Sequence, residues 1–149
     1  MSYPPLDITP IWARHNESLI ALVDRIPDDQ MNWSPKPELW NFRGTLLHIA
    51  DARDLWMAHT VKDGGDPSTV WQTVRSKDEI RAAYARTWER LERFLSNPDL
   101  LAATHDNDGG MVTGHWIAFH LLEHDIHHRA DIFHYLAMLG VDTGDVGTP

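Results

Sequence analysis

Residues 113–140 read TGHWIAFHLLEHDIHHRADIFHYLAMLG and carry the longest helical pattern in the chain. Apolar and histidine residues recur there every three or four positions, which is the spacing of one face of an α-helix. The pattern predicts a helix from about Thr113 to Leu139 that Gly140 ends. A second apolar stripe lies about 100° round the same helix. It contains Phe119, Leu122, Ile126, Ala130, Phe133 and Ala137. A helix that is apolar on two faces is either central in its fold or shared with a second subunit.

Prolines divide the rest of the chain into three further helical windows. These windows run from Thr9 to Ile26, from about Phe42 to Lys62, and from near Ser76 to Leu95. Pro10 suits the first position of a helix that Thr9 caps, and Ser76 with Glu79 is typical of a capping box. Four amphipathic helices predict an all-α four-helix bundle. We expect residues 1–140 to form this single domain and residues 141–149 to form a flexible C-terminal tail.

Composition excludes several classes of function. The 149 residues include 13 Lys and Arg against 22 Asp and Glu, a net charge of −9, which disfavours nucleic acid and anionic membranes as partners. The chain has no cysteine, so no thiolate nucleophile or cysteine-based zinc site is available. It also has no long apolar run and no leader pattern near its start. We therefore expect a soluble, cytoplasmic protein.

The histidines suggest a metal site. His124 and His128 are four positions apart, so on a helix their rings stand on one face, and His120 extends the same row by one turn. Two imidazoles at this spacing can bind one metal ion, and a third ligand must come from another helix. His48, a lone polar residue among apolar neighbours, is the best candidate. Two metal-free alternatives remain open, a chance pair on a surface helix and a hydrogen-bonded core histidine.

Other known site patterns are missing from the sequence. It contains no HExxH motif and no glutamate followed by histidine three positions later. These absences exclude a zincin helix and the ligand motifs of ferritin-like di-iron bundles. No P-loop, GxGxxG or GxSxG motif occurs either, so phosphate loops, dinucleotide sites and nucleophile elbows lack support.

Three stretches together carry a resemblance to a known family. They are MNWSPKPELWN at residues 31–41, LLHIAD at 46–51 and HDIHHRAD at 124–131. The sequence resembles the DinB-like superfamily over nearly its whole length. In that superfamily the last motif usually reads His-x-x-x-His-Arg-Gly-Gln, so Ala130 and Asp131 depart from the pattern.

The resemblance implies an up-down-down-up four-helix bundle, often a homodimer, with one divalent metal ion held by three histidines. Carried onto this sequence, the metal ligands are His48, His124 and His128. Asp51 and Asp131 are the candidates to orient a ligand imidazole. Trp33 and Trp40 are expected to cover the end of the bundle, with pocket lining as the alternative.

Three functions remain in competition at this point. The first is a metal-dependent enzyme, a thiol-dependent S-transferase or a hydrolase, that acts on a small molecule. The resemblance includes transferases that use a low-molecular-weight thiol as cosubstrate, and imidazole ligands favour zinc first and nickel next. The second function is a non-catalytic metal- or ligand-binding bundle. The third is a metal-free helical dimerisation module.

Overall fold

The computed structural model describes residues 7–144 and 146. These residues are mostly helical, with one small β-hairpin. The elements are α1 (Thr9–Arg25), α2 (Phe42–Leu55), α3 (Val70–Thr73), α4 (Lys77–Leu95), α5 (Pro98–Ala102), β1 (Thr104–Asn107), β2 (Gly110–Thr113) and α6 (Gly114–Met138). A short 3-10 turn occupies Asp28–Gln30, and a π-helical segment, Trp56–Val61, extends α2.

The helix ends follow from local sequence. Ser76 and Glu79 form both hydrogen bonds of the predicted capping box at the start of α4. Gly140, just beyond α6, has φ of 71°, a conformation that glycine adopts without strain. The predicted cap at Thr9 is wrong by one residue. Ile8 is the N-cap of α1, because Thr9 already has helical geometry and Pro10 follows it within the first turn.

The β-hairpin corrects the all-α expectation. Strands β1 and β2 pair antiparallel, with Asn107 opposite Gly110, so Asp108 and Gly109 form a two-residue loop. Both loop residues have positive φ, 51° and 87°, as the tight turns of hairpins require. The strands were not predicted because they are short and mostly exposed, so no alternation of apolar and polar residues marks them. The Asp-Gly pair is the signal that could have revealed them.

The four long helices pack around two apolar clusters. Helices α1 and α2 each contact both α4 and α6. The first apolar cluster joins the second half of α1, the first halves of α2 and α4, and the second half of α6. The second apolar cluster joins the first half of α1, the π-helical extension of α2, the second half of α4 and the first half of α6. Representative members of the first cluster are Leu22, Leu46, Tyr84 and Leu136, and those of the second are Trp12, Met57, Phe94 and Leu121.

Buried polar residues separate the two clusters. On each of the four long helices, at least one buried polar residue lies between the residues of the first apolar cluster and those of the second. We call this set the polar layer, and its members are His15, Asn16, Arg53, Thr87 and Asp125. Buried polar groups are costly unless they bond to one another, which the polar layer does around Arg53.

Ion pairs fix the long connection that follows α2. Asp54 is fully buried and accepts hydrogen bonds from Arg86, at 2.7 and 2.9 Å, and from Arg90 at 3.0 Å. Arg90 also holds Asp63 in the connection. Gly65 permits this arrangement, because a Cβ there would lie 2.4 Å from the Arg90 guanidinium. The helix α2, which carries one of the predicted ligands, is thereby tied to α4.

The chain past α6 turns back onto the bundle. Val141 and Val146 pack, partly buried, against the first apolar cluster, and Arg25 donates a hydrogen bond to the Asp142 carbonyl at 3.2 Å. The predicted tail, residues 141–149, lies in part outside the described residues, which omit 145 and 147–149. Among the described helices, none combines the length and hydropathy needed to cross a bilayer.

Candidate metal centre

The structure brings the three predicted ligands together. His48 on α2 faces His124 and His128 on α6, and one ring nitrogen from each lies within 4.8 Å of the others. We call these three residues the histidine cluster. The Nε2 atoms of His48 and His124 are 2.9 Å apart, and the ring centroids are 4.7 to 4.8 Å apart. Ligands from two neighbouring helices therefore converge on one point.

Carboxylates orient two of the three imidazoles. His128 Nδ1 lies 3.2 Å from Asp131 Oδ2, and His124 Nδ1 lies 3.5 Å from Asp125 Oδ1. An ionised carboxylate can only accept a hydrogen bond, so each Nδ1 carries the proton and each Nε2 keeps its lone pair. The Nε2 of His124 faces the cluster, so its lone pair is available to a metal ion. Asp131, which stands where the superfamily usually has Gln, thus contacts a candidate ligand.

The surroundings of His48 and His128 disfavour the charged forms of these two imidazoles. Burial, together with the nearby His124 and His128, lowers the pKa of His48 to about 4, although the charge of Asp51 opposes the shift. Burial and His124 also lower the pKa of His128. A metal ion binds the neutral form of imidazole, so these shifts favour binding at pH 7.

The histidine cluster is partly accessible to solvent, and the Trp40 side chain covers part of it. The side chains of His124 and His128 are 21% and 19% exposed. The Trp40 ring lies edge-on to His48, with centroids 4.3 Å apart, and is stacked on His128 at 6.1 Å. Trp40 directly precedes Asn41, the N-cap residue of α2. The Asn41 side chain accepts a hydrogen bond from the Gly44 N–H, and this cap positions Trp40. Trp40 therefore lines the site.

The other conspicuous aromatic residues and histidines lie elsewhere. Trp33 packs against Phe42 and Tyr135 in the first apolar cluster. The His120 ring is stacked on Trp116 with centroids 4.6 Å apart, which removes it from the row it shares in sequence with His124. The exposed His127 could form a second group of ligand atoms with His128 and Asp131, but that group shares His128 with the histidine cluster.

The polar layer lies directly behind the site, and its role was not predicted. Asp125 Oδ2 accepts a hydrogen bond from Arg53 Nε at 2.8 Å, forms an ion pair with Arg53 Nη2 at 2.7 Å and lies 3.4 Å from His15 Nε2. Burial alone would raise the pKa of Asp125, but Arg53, His124 and His15 hold it well below its ordinary value. A sequence signal existed, because Arg53 and Asp125 interrupt the apolar faces of α2 and α6.

Comparisons with known proteins agree with this fold. The DinB superfamily model matches residues 11–132, most of the chain, so the chain belongs to the DinB superfamily. A DinB-like protein from Bacillus subtilis matches with a TM-score of 0.74 at 21% identity, over 92% of this chain and 94% of that one. A DinB-like protein from Bacillus cereus matches with a TM-score of 0.77 at 18% identity, over 91% and 92%. At these identities the likeness shows the fold alone. No protein of curated function matches the chain.

Proposed function

We propose that this chain is a metal-binding four-helix bundle of up-down-down-up topology. The order in which each helix contributes to the two apolar clusters supports this topology. Helices α1 and α6 contribute first to the second apolar cluster and then to the first. Helices α2 and α4 contribute in the reverse order. The first and last long helices therefore run one way and the middle two run the other.

The histidine cluster fits one divalent ion, zinc first and nickel next. Two nitrogens on the same tetrahedral zinc, each about 2.1 Å from it, lie roughly 3.4 Å apart. The contact of 2.9 Å between His48 and His124, and the limit of 4.8 Å for all three histidines, bracket that separation. Three neutral nitrogen donors suit zinc and nickel better than magnesium or calcium. Binding requires only a change of tautomer at His48 and small rotations of the rings.

The same site supports a metal-dependent enzyme acting on a small molecule, a thiol-dependent S-transferase or a hydrolase. The observation that carries this proposal is a three-histidine cluster that stays partly exposed, which leaves a ligand position open to substrate. A bound zinc ion would supply an activated water or hold a thiol as its thiolate. Because the chain has no cysteine, the thiol would be a low-molecular-weight cosubstrate. Asp131 holds the His128 ring in place, and Trp40 restricts water at the site.

The net charge of the chain and the exposure of apolar residues on α6 support proposals about its partners. The net charge of −9 disfavours nucleic acid and membrane surfaces and is compatible with the cytoplasm. A homodimer through α6 is supported by Phe119 and Ile126, which are 56% and 39% exposed. Leu122 and Phe133, from the same stripe, pack within their own chain, so the apolar patch is smaller than the stripe. A monomer in light scattering at micromolar concentration would refute the dimer.

A metal-free function is the specific alternative. The short contact between the Nε2 atoms of His48 and His124 is a good hydrogen bond by itself, with His48 donating. A helical dimerisation module could keep this bond and bind no ion. A non-catalytic metal-binding bundle would bind the ion without turning over a substrate.

Elemental analysis separates the metal-binding proposals from the metal-free alternative. We expect one zinc or nickel ion per chain in the purified wild type and almost none in His128→Ala. His120→Ala is the matched control, because it removes a histidine from the same helix but outside the cluster, and it should keep the ion. Equal metal content in wild type and His128→Ala would overturn the assignment. Screening of thiol-transfer and ester substrates, with His48→Ala as the inactive control, then tests for catalysis.

A further inference from the structure

A cavity of about 590 Å³ opens beside the histidine cluster. It lies between the loop before α2 and the second half of α6, and His128 forms part of its wall. Its volume falls within the range of small-molecule pockets, about 300 to 1,000 Å³. A molecule that fills this cavity would contact His128, one of the three candidate metal ligands.

The cavity has an apolar side built from two separate elements. Leu39 and Trp40 come from the loop, and Tyr135 and Met138 come from α6. Leu39, Trp40 and Met138 are 47%, 46% and 65% exposed, although exposure of such side chains is unfavourable. Their exposure on the walls of one cavity is the pattern expected of a binding site, whereas isolated exposed apolar residues need no explanation.

Polar residues line the cavity from the loop and from α6. Those on α6 are His127, His128, Asp131 and His134. His128 and Asp131 stand one turn apart on α6 and hold each other by a hydrogen bond. On the loop, Lys36 and Glu38 line the cavity with opposite charges, so the loop contributes no net charge to it. With Asp131, the lining has one lysine against two carboxylates, a small negative excess that disfavours an anionic ligand and offers no large acidic cluster to a cationic one.

We propose that this cavity binds a flat, uncharged apolar group of the substrate, most simply an aromatic ring. The ring lies against Leu39, Trp40 and Met138, and the reactive end of the substrate reaches the histidine cluster. This inference rests on the proposed metal site and adds the class of substrate to it. The apolar wall then acts as the specificity-determining surface, and Trp40 contacts both the substrate and the ligand histidines.

The test compares two metal-anchored ligands on the zinc-loaded protein. Acetohydroxamate and benzohydroxamate share a zinc-binding head, and they differ in a methyl against a phenyl group. Their affinities for free zinc serve as the reference. We expect benzohydroxamate to bind the wild type at least about ten-fold more tightly than acetohydroxamate, once corrected for that reference, because the phenyl group is buried. Isothermal titration calorimetry measures both affinities.

Two variants test whether the cavity wall causes the preference for the phenyl group. Leu39→Ala combined with Met138→Ala should remove most of the preference for the phenyl group while leaving acetohydroxamate binding unchanged. Met111→Ala, which alters a residue 64% exposed on β2 and outside the cavity, should leave both affinities unchanged. Equal affinity for the two ligands in the wild type, or an undiminished preference in the double variant, would overturn the inference while leaving the metal site intact. Failure of zinc itself to bind would overturn the proposed function and the inference with it.

Discussion

The polar layer and the histidine cluster are neighbours that share the helices α2 and α6, yet the two regions differ in burial and in charge. His124 belongs to the histidine cluster, and the next residue, Asp125, belongs to the polar layer. Asp125 and Arg53 are fully buried, and Arg53 has four further contacts, with Asn16, Thr87 and the rings of Trp12 and Tyr84. The cluster is partly exposed, and its ligand nitrogens face mainly one another.

This difference concerns how charge is balanced in the two regions. In the polar layer the charges of Arg53 and Asp125 neutralise each other. In the histidine cluster three imidazoles converge without an acidic partner between them, and this arrangement supports the proposal that a cation binds there. Asp125 links the two regions, because one of its oxygens faces Arg53 while the other faces His124.

Removing the arginine of the polar layer should produce the largest effect. In Arg53→Ala, Asp125 remains buried without its counter-charge, which costs about 3–5 kcal/mol of the free energy of unfolding. Urea denaturation of the metal-free protein measures this loss. The double variant Arg53→Met with Asp125→Leu should lose much less, because no uncompensated charge remains. A loss below about 1 kcal/mol in Arg53→Ala would show that the pair does not carry the stability assigned to it.

Replacing the carboxylate that contacts His128 Nδ1 should weaken metal binding without unfolding the protein. In Asp131→Asn the amide holds the His128 ring less strongly, so we expect zinc affinity to fall about 10- to 100-fold. Competition with a zinc-binding dye measures the dissociation constants. Asp142→Asn serves as the control, because Asp142 is exposed and lies beyond α6. Unchanged affinity in Asp131→Asn would contradict the orienting role of Asp131.

The long helices and the three candidate ligands could be predicted from sequence, because both depend on short-range spacing. His124 and His128 share a helical face by periodicity, and His48 stands out as a lone polar residue among apolar neighbours, a choice that the family resemblance supports. The pairing of Arg53 with Asp125 could not be predicted in this way. It joins residues 72 positions apart in sequence, and only the packing of α2 against α6 brings them together. His120 fits the row by spacing, but its ring stacks on Trp116 one turn earlier in the same helix and lies edge-on to Trp56 of the π-helical segment.

The exposed face of α6 was predicted only in part. The second apolar stripe of the sequence contains Phe119, Ile126 and Phe133, but Phe133 packs against the first apolar cluster. Periodicity gives the face on which a residue lies, whereas neighbouring helices determine how much of that face they cover. The hairpin at Asp108-Gly109 was missed for a related reason, since strands of four residues give too little pattern to detect.

The pH dependence of the metal-free protein should show a smaller effect that arises in the cluster. The pKa of His48 falls from 6.5 to about 4 on folding, so the unfolded chain binds more protons between these values. Stability should therefore decrease as the pH falls from 6.5 towards 4. The slope should be shallower in His48→Ala and unchanged in His134→Ala, which alters an exposed histidine of α6. An equal slope in wild type and His48→Ala would contradict the origin of the effect in the cluster.

X-ray absorption at the zinc edge of the zinc-loaded protein tests the central claim most directly, because it identifies the atoms bound to the ion. We predict three imidazole nitrogens at about 2.0–2.1 Å, with one further position occupied by an oxygen ligand such as water. His128→Ala should lose one imidazole from the spectrum, whereas His120→Ala should match the wild type. A zinc environment made of carboxylate and water oxygens, with no imidazole signature, would contradict the assignment of His48, His124 and His128 as the metal ligands.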